Sequence, residues 1–278
     1  MASVSPTRRS SWLRSLSYLI NRWILRRPFL EGRVPELNLR FRVKTEDVVG
    51  RHIYKYQVHE PVLSQFLVEH LKIEPRDVVI DIGANVGWYS LLLARLAPDD
   101  ARIFAFEPDP LNFELLEHNI RLNKTTKITA IQKALAAEDG IQTLYQHDSN
   151  NLGRHSLLHL QDGKAVDVKT TSLDKFWNEN DLGSRVPRFI KIDIEGYELV
   201  ALRGGGEVLR RCPALLCEYS PDYMRKGGLD PADLIDLLVG HGFRPHAITK
   251  TGLEAIAAET LPALTQVTDL FWQRAVST

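Results

Sequence analysis

The stretch VVIDIGANVGWYS, from Val78 to Ser90, constrains the fold more than any other part of the chain. It begins with a nearly continuous apolar run, which is typical of a strand buried in a parallel sheet with both faces covered. A turn follows at Gly83, and the apolar spacing after the turn predicts a helix. In α/β proteins, a strand that leads through a glycine turn into a helix commonly binds a nucleotide-containing cofactor.

Strand and helix signals alternate along most of the chain. Seven segments are predicted as strands of one sheet, at residues 78–83, 102–107, 127–135, 188–193, 214–220, 243–249 and 268–275. Helical periodicity separates the early strands, and a helix over 60–73 precedes the first of them. A short return joins the last two, so the last strand is expected to be antiparallel. The sequence therefore predicts an α/β, Rossmann-like sheet of seven mostly parallel strands with helices on both faces.

Two segments with alternating polarity, at 142–148 and 166–173, interrupt this order around the polar run SNNLGRHSLLHLQDGK. We interpret residues 140–172 as a hairpin or loop excursion of the same domain. The predicted α/β domain spans residues 51–278 and follows a basic leader of residues 1–50. The two cysteines, Cys212 and Cys217, are interpreted as buried thiols, and no Cys/His spacing resembles a zinc site.

The leader is basic although the whole chain is neutral. Its first 33 residues contain seven arginines and a single acid, Glu31, whereas the chain balances 35 Lys+Arg against 35 Asp+Glu. This balance disfavours nucleic acid as a partner. Within the leader, Trp12, Leu16, Leu19 and Trp23 recur at helical spacing. Arginines interrupt this run well short of the ~20 apolar residues of a membrane span, and no signal-peptide cleavage site follows it.

An amphipathic helix of this kind has more than one use. It can lie on an anionic membrane surface, or it can pack its Trp/Leu face on its own domain or on a second subunit. The sequence leaves these alternatives open. We expect a cytoplasmic protein, peripheral to the membrane if the helix binds lipid.

The turn at Gly83 departs from the dinucleotide fingerprint G-x-G-x-x-G. The second and third glycine positions are occupied by Asn85 and Trp88, and Asn85 adds a side chain where a pyrophosphate would come closest. Asp81 would repel a pyrophosphate, but a carboxylate suits the ammonium and sulfonium groups of S-adenosylmethionine. The turn therefore favours S-adenosylmethionine over NAD. Glu107 ends the second strand, where an acid commonly binds the ribose hydroxyls of either cofactor.

The segment RFIKIDIEGYELVAL supplies the candidate catalytic residues. Its strand ends at Asp193, at the sheet edge where ligands bind in such folds, and Glu195 follows. His147 and His155 in the polar excursion are further candidate bases, since histidine titrates near neutral pH. We favour Asp193 and Glu195, and keep His155 as the third candidate. No metal is assigned, although a magnesium ion on Asp193 and Glu195 stays an alternative.

Several motifs occur in an order that resembles the FkbM family of S-adenosylmethionine-dependent methyltransferases. They are IDIGANVG, AFEPDP-x-NFELLEHNI, KAL, TLY, SNNLG-x-x-SL, TTSLDKF and IKIDIEGYEL, and together they cover roughly residues 60–219. The resemblance implies O-methylation of a small-molecule or glycan hydroxyl, on a sugar, polyketide or related secondary metabolite, with S-adenosyl-L-homocysteine as product. It also implies a cofactor site, whose residues would be Glu60, Asp81, Gly83, Ala84, Asn85, Gly87, Glu107, Pro108, Ala134 and Asp193.

Two other functions remain as alternatives to the methyltransferase. One is an NAD-dependent oxidoreductase. The other is a non-catalytic module that binds S-adenosylmethionine without turnover. The sequence identifies neither the acceptor nor the oligomeric state.

Overall fold

The structure of the protein is a computed structural model, and it describes residues 11–146, 155–160 and 164–274. The helices are α1 (Ser11–Leu19), α2 (Val48–Tyr56), α3 (Pro61–His70), α4 (Trp88–Leu96), α5 (Pro110–Leu122), α6 (Leu173–Glu179), α7 (Glu198–Arg203), α8 (Gly206–Arg211), α9 (Pro221–Lys226) and α10 (Pro231–Gly240). The strands are β1 (Phe29–Val34), β2 (Leu39–Lys44), β3 (Asp77–Ile82), β4 (Arg102–Phe106), β5 (Ile128–Ile131), β6 (Ala134–Leu135), β7 (Gly140–Gln146), β8 (Lys164–Thr171), β9 (Val186–Ile192), β10 (Ala214–Tyr219), β11 (Phe243–Thr249), β12 (Gly252–Ala255) and β13 (Thr268–Arg274). A π-helical turn over Ile20–Ile24 continues α1, and 3-10 turns occupy Pro35–Leu37 and Ala258–Ala263.

The main sheet is the doubly wound sheet that the sequence predicts. In the described ranges it has eight strands in the order β12-β11-β13-β10-β9-β3-β4-β5. The five strands from β10 to β5 are parallel, and β13 lies antiparallel between β10 and β11. The prediction of an antiparallel last strand is therefore confirmed. The prediction of seven strands missed β12, a short strand that forms a hairpin with β11 through a turn that ends at Gly252.

The apolar run at β3 forms the centre of this sheet because its side chains alternate between two hydrophobic clusters. All six residues of β3 are buried. Val79 contributes to one cluster, with the helices α3 to α5, whereas Val78 and Ile80 contribute to the other, with α6 to α10. A strand covered on both faces has no polar face, which is why the run reads as continuous rather than alternating.

Two predicted elements are divided in the structure. The segment 127–135 forms β5 in the main sheet and β6 in a second sheet, with a turn closed by the bond from Lys133 N to Ile131 O at 2.9 Å. The helix predicted after β9 forms the two short helices α7 and α8, which are separated at Gly204 and Gly205. A Cβ on Gly204 would lie 2.3 Å from Ala136 O, so a side chain has no room where the two helices meet.

The segment around the polar run forms a small sheet beside the main one. Within the described residues its order is β6-β8-β7, with β7 and β8 antiparallel and β6 parallel to β8. An isolated bridge between Tyr145 and Ser156 connects β7 to the described piece 155–160. His147, one of the candidate bases, lies outside the described residues.

The leader contains a hairpin that the sequence did not reveal. Strands β1 and β2 pair antiparallel, and β2 docks on two asparagine side chains, one in α5 and one at its C-cap. The amide of Arg42 donates to Asn119 Oδ1 at 2.7 Å, and the amide of Arg40 donates to Asn123 Oδ1 at 2.9 Å. The hairpin also buries Leu30, Leu39 and Phe41 in the cluster that includes Val79.

The Trp/Leu face of α1 faces solvent. Trp12 and Trp23 are 64% and 67% exposed, and among the residues of α1 only Tyr18 is buried. The alternative in which this face packs on its own domain is therefore wrong.

In the part of the chain that the structure describes, no helix has the length and apolarity needed to cross a lipid bilayer.

Candidate active site

A cavity lies at the carboxyl ends of the central parallel strands, where ligands bind in doubly wound sheets. Its empty volume is ≈ 1220 Å³ and includes space open to solvent. The turn after β3 lines it with Gly83, the end of β4 with Glu107, and the end of β9 with Asp193. Glu218 of β10 and residues of α2 complete the wall.

The structure brings most of the predicted site residues together around this cavity. Those that line it are Glu60, Gly83, Ala84, Asn85, Glu107, Pro108, Ala134, His155, Asp193 and Glu195. The two predicted residues that do not line it are Asp81 and Gly87.

Asp81 lies behind the cavity wall instead of on it. Its side chain is fully buried, and Ser90 Oγ donates to Asp81 Oδ2 at 2.6 Å. Burial raises the pKa of Asp81, while the charge of Lys191 opposes the rise. The contact between Asp81 and a cationic ligand group that we inferred from the sequence is therefore not available in this structure, because β3 points this side chain into the protein.

Gly83 and Gly87 are needed for the shape of the turn. Gly83 has φ +76°, and a Cβ there would lie 2.1 Å from the backbone oxygen of Asp193. Gly87 has φ +90° at the start of α4, and a Cβ there would lie 2.7 Å from Leu116 Cδ1. Only glycine adopts such backbone angles without strain. Gly83 therefore allows β9 to approach the turn, and Gly87 allows α5 to pack on it.

The backbone amides of this turn are bound within the protein. The amides of Gly83 and Ala84 donate to Phe106 O at 3.0 and 2.9 Å, and the amide of Gly87 donates to Ala84 O at 2.8 Å. The amide of Asn85 donates to Glu107 Oε2 at 2.7 Å. A dinucleotide site needs such amides for the pyrophosphate. In this turn those amides already donate hydrogen bonds to acceptors within the protein.

Glu107 is positioned to accept hydrogen bonds from a ribose. Besides Asn85, the amide of Asp109 donates to Glu107 Oε1 at 3.0 Å, which fixes both oxygens and leaves each a further lone pair. Burial raises the pKa of Glu107 to about 7, although the two amides oppose the rise. Nearby, Asn85 Oδ1 is buried and has no hydrogen-bond partner among the described residues. An acceptor of this kind on a cavity wall fits a ligand with hydroxyl or amino donors.

His155 lies next to Asp109 on this side of the cavity. Its Nδ1 is 3.4 Å from Asp109 Oδ2, and both side chains are almost completely buried. Asp109 also caps α5 by accepting from the amides of Leu111 and Asn112. Burial acts to raise the pKa of Asp109, but the nearby ring of His155 and the hydrogen bond from the amide of Asn112 outweigh it, so the pKa is lowered. The ring of His155 is thus held by a carboxylate near the predicted ribose site.

Lys191 is a cavity residue that the sequence analysis missed. Its Nζ lies 3.1 Å from Asp193 Oδ2 and 5.1 Å from the centre of the Tyr89 ring, and only 5% of the residue is exposed. Tyr89 in turn donates a hydrogen bond to Glu60. Burial opposes the charged form, yet Asp193, Asp81 and Glu60 together raise the pKa of Lys191, which therefore stays protonated.

Three carboxylates form a cluster beside this lysine. One oxygen each of Asp193, Glu195 and Glu218 lie within 4.8 Å of one another. Burial raises the pKa of Glu218 well above its ordinary value, and the charges of Asp193 and Glu195 add to the rise. The cluster can therefore take up a proton, and its three oxygens could also hold a divalent cation. Glu218 is the second cavity residue that the sequence analysis missed.

The charges around the cavity fit a cationic ligand. Its wall carries five carboxylates and two lysines, namely Glu60, Glu107, Asp193, Glu195, Glu218, Lys133 and Lys191. Of the lysines, Lys191 is already paired with Asp193. A diphosphate would meet net repulsion here, whereas the ammonium and sulfonium groups of S-adenosylmethionine would be attracted. The doubly wound sheet with its antiparallel last strand and this acidic cavity define a class I methyltransferase.

Comparison with known proteins identifies the family. Residues 81–245, more than half of the chain, match the model of the methyltransferase FkbM domain. The chain therefore belongs to the FkbM family of methyltransferases, whose methyl donor is S-adenosylmethionine.

The chain is also similar to curated methyltransferases. It is 27% identical over 225 residues to the 2-O-methyltransferase NoeI of Sinorhizobium fredii, covering 75% of this chain and 87% of that protein. It is 26% identical over 199 residues to the hexuronic acid methyltransferase AglP of Haloferax volcanii, covering 72% of this chain and 75% of that protein. It is 31% identical over 144 residues to Methyltransferase 1 of Beauveria bassiana, and this match covers 45% of this chain and 57% of that protein.

Proposed function

We propose that this protein transfers the methyl group of S-adenosylmethionine to a hydroxyl oxygen of a sugar or a related secondary metabolite. The observation that carries the proposal is the position of the carboxylate cluster, which shares one cavity with Glu107. The relatives support it, since one is named for 2-O-methylation and another for a hexuronic acid. The acidic lining and the occupied amides of the turn argue against the NAD-dependent alternative.

Within this proposal, different residues bind the cofactor and handle the proton. Glu107 accepts from the ribose hydroxyls, and Asn85 Oδ1 accepts from a donor of the same ligand. Glu60 and Asp193 attract its ammonium group. When bound, S-adenosylmethionine supplies a methyl group on a positively charged sulfur. The walls of the cavity would hold the acceptor oxygen near that methyl group, and such positioning provides much of the acceleration in two-substrate reactions.

The acceptor hydroxyl must lose its proton as its oxygen attacks, and we assign this step to Glu195 and Asp193. Both belong to the cluster whose mutual repulsion favours proton uptake. Lys191 donates a hydrogen bond to one oxygen of the Asp193 carboxylate, which holds this group in place beside Glu195. His155, by contrast, is held by Asp109 near Glu107, which favours a role in the cofactor pocket.

The experiment that tests this function uses purified protein with methyl-labelled S-adenosylmethionine and glycosides of neutral hexoses and hexuronic acids. We expect the label to appear on the sugar and to survive alkaline hydrolysis, because a methyl ether is stable to alkali and a methyl ester is not. Label that alkali removes would place the methyl group on a carboxylate and contradict hydroxyl transfer. Binding of S-adenosylmethionine without turnover on any acceptor would favour the non-catalytic alternative.

A variant of Glu195 tests whether this residue is the base that removes the acceptor proton. Glu195→Gln should lower turnover by about 10²–10⁴-fold while leaving the affinity for S-adenosylmethionine within a factor of about two. The matched control is Glu114→Gln, on the exposed side of α5, which should change neither. Turnover of Glu195→Gln equal to wild type would exclude Glu195 as the base. Repeating the assay with EDTA and then with added Mg²⁺ tests whether the cluster needs a cation.

A further inference from the structure

The described chain concentrates its exposed apolar side chains in one short segment. Of fourteen large apolar residues that are exposed, eight lie between Trp12 and Leu25. They are Trp12, Leu13, Leu16, Leu19, Ile20, Trp23, Ile24 and Leu25. We call the surface formed by these eight residues the Trp/Leu patch. A contiguous exposed patch with two tryptophans is typical of an interaction surface.

The segment packs on its own domain through its other, polar side. Arg14 Nε donates to Lys55 O at 2.9 Å, and the hydroxyl groups of Ser17 and Tyr54 lie 3.0 Å apart. Tyr18 is buried and donates to Thr45 O. The helix is therefore held in place on α2 by contacts that do not involve the Trp/Leu patch.

The charge of the segment indicates what binds to the patch. The first thirty residues contain no aspartate or glutamate, and the described part of this stretch carries Arg14, Arg22, Arg26 and Arg27. Arg26 and Arg27 are exposed next to the end of the patch, and the guanidinium of Arg22 lies 4.9 Å from the centre of the Trp23 ring. Two copies that met through this face would bring the arginines of one segment against those of the other, and residues 1–30 contain no acid to pair them. An anionic lipid surface, in contrast, would accept both the tryptophans and the arginines.

We propose that the protein docks on an anionic lipid bilayer through the Trp/Leu patch and the neighbouring arginines. The apolar residues enter the boundary between headgroups and acyl chains, and the arginines contact the lipid phosphates. Helix α2 lies between the docked segment and the active-site cavity, because α1 packs on Tyr54 and Lys55 while Val48 and His52 line the cavity. Docking thus brings one wall of the cavity next to the bilayer.

The experiment measures binding of the full chain to vesicles of phosphatidylcholine with about 30% phosphatidylserine, by co-sedimentation at low and at physiological salt. We expect binding that weakens with salt and that is at least about tenfold weaker on pure phosphatidylcholine. Trp12→Ala/Trp23→Ala and Arg26→Gln/Arg27→Gln should each weaken binding by about tenfold or more. The matched controls, Val186→Ala and Arg102→Gln, change exposed residues at the amino ends of β9 and β4, outside the Trp/Leu patch, and should bind like wild type.

A second measurement needs no variant. Tryptophan fluorescence of the wild-type chain should shift to the blue and be quenched by lipids brominated near the headgroup. Absence of binding to anionic vesicles overturns the proposal, and so does equal binding to neutral vesicles. A concentration-dependent dimer that disappears in Trp12→Ala/Trp23→Ala, without vesicle binding, would overturn it in favour of a second copy of this chain.

Discussion

Glu107 gives a quantitative test of where the ribose binds. Burial raises the pKa of this carboxyl to about 7, so it titrates in a range where binding is easily measured. A ribose hydroxyl donates to a carboxylate more strongly than to a protonated carboxyl group. With a pKa near 7, the carboxylate is ~9% ionised at pH 6 and ~91% ionised at pH 8. Because affinity scales with the fraction of the competent form, we expect about tenfold tighter binding at pH 8 than at pH 6.

The assay is isothermal titration calorimetry at pH 6, 7 and 8 with 5′-methylthioadenosine. This nucleoside keeps the adenine and ribose of S-adenosylmethionine but lacks the amino acid, so it has no group that titrates in this range. Glu107→Gln should bind about tenfold more weakly than wild type at pH 8 and show no dependence on pH, since a charged hydrogen bond is worth about 1.5 kcal/mol or more.

His155→Gln is the control for this test, because His155 also borders this part of the cavity. This variant should keep the pH dependence of the wild-type protein. A wild-type affinity that does not change from pH 6 to pH 8 would refute the assignment. If Glu107→Gln retains the pH dependence of binding and His155→Gln loses it, the group responsible is His155.

Three further predictions concern the structure around the cavity, and urea unfolding measures each of them. Gly83→Ala should lower the free energy of unfolding by about 2–4 kcal/mol. Gly183→Ala, where the added Cβ would meet no atom within 4 Å outside the neighbouring residues, should change it by less than about 0.5 kcal/mol. Lys191→Met should lower the free energy of unfolding by about 3 kcal/mol at pH 7.5 and by less at pH 5.5, because it removes the positive charge that offsets the cost of burying the Asp81 carboxylate, whose pKa burial raises. Burial raises the pKa of Glu198 from 4.5 to about 7. Between these pH values the folded state therefore keeps a proton on Glu198 that the unfolded state has lost. Glu198 should therefore reduce stability by up to about 3 kcal/mol as the pH rises from about 4.5 to 7, and Glu198→Gln should flatten that slope.

The central fold could be predicted from the sequence because its signals are local. The apolar run of β3 and the turn glycine Gly83 each specify the backbone within a few residues. The position of Glu107 at the end of β4 followed from the same signals. These residues meet at one edge of the sheet because parallel strands end together there.

Other parts of the fold depend on contacts that are distant along the chain. The strand β2 does alternate, with Phe41 and Val43 buried between basic residues that are exposed or half-buried, but its pairing with β1 and its docking on Asn119 are not visible locally. The division of residues 127–135 likewise reflects the pairing of β6 with β8, which lies thirty residues further along.

The charged residues of the cavity were only partly predictable for a related reason. Asp81 and Lys191 are paired in register on β3 and β9, yet only Lys191 lines the cavity, while Asp81 lies behind its wall. Which side chain reaches a cavity depends on the twist of the sheet and on the loops above it. A lysine within the apolar run FIKI, and a glutamate in ALLCEYS, were nevertheless signals that could have marked Lys191 and Glu218.

The central claim is that the acidic cavity at the Gly83 turn accepts S-adenosylmethionine and not a dinucleotide. Calorimetric titration of the purified chain with each ligand, under the same conditions, tests it most directly. We expect one S-adenosylmethionine molecule to bind per chain, with S-adenosylhomocysteine competing for the same site, and no heat of binding from NAD. Saturable binding of NAD, with none of S-adenosylmethionine, would contradict the account.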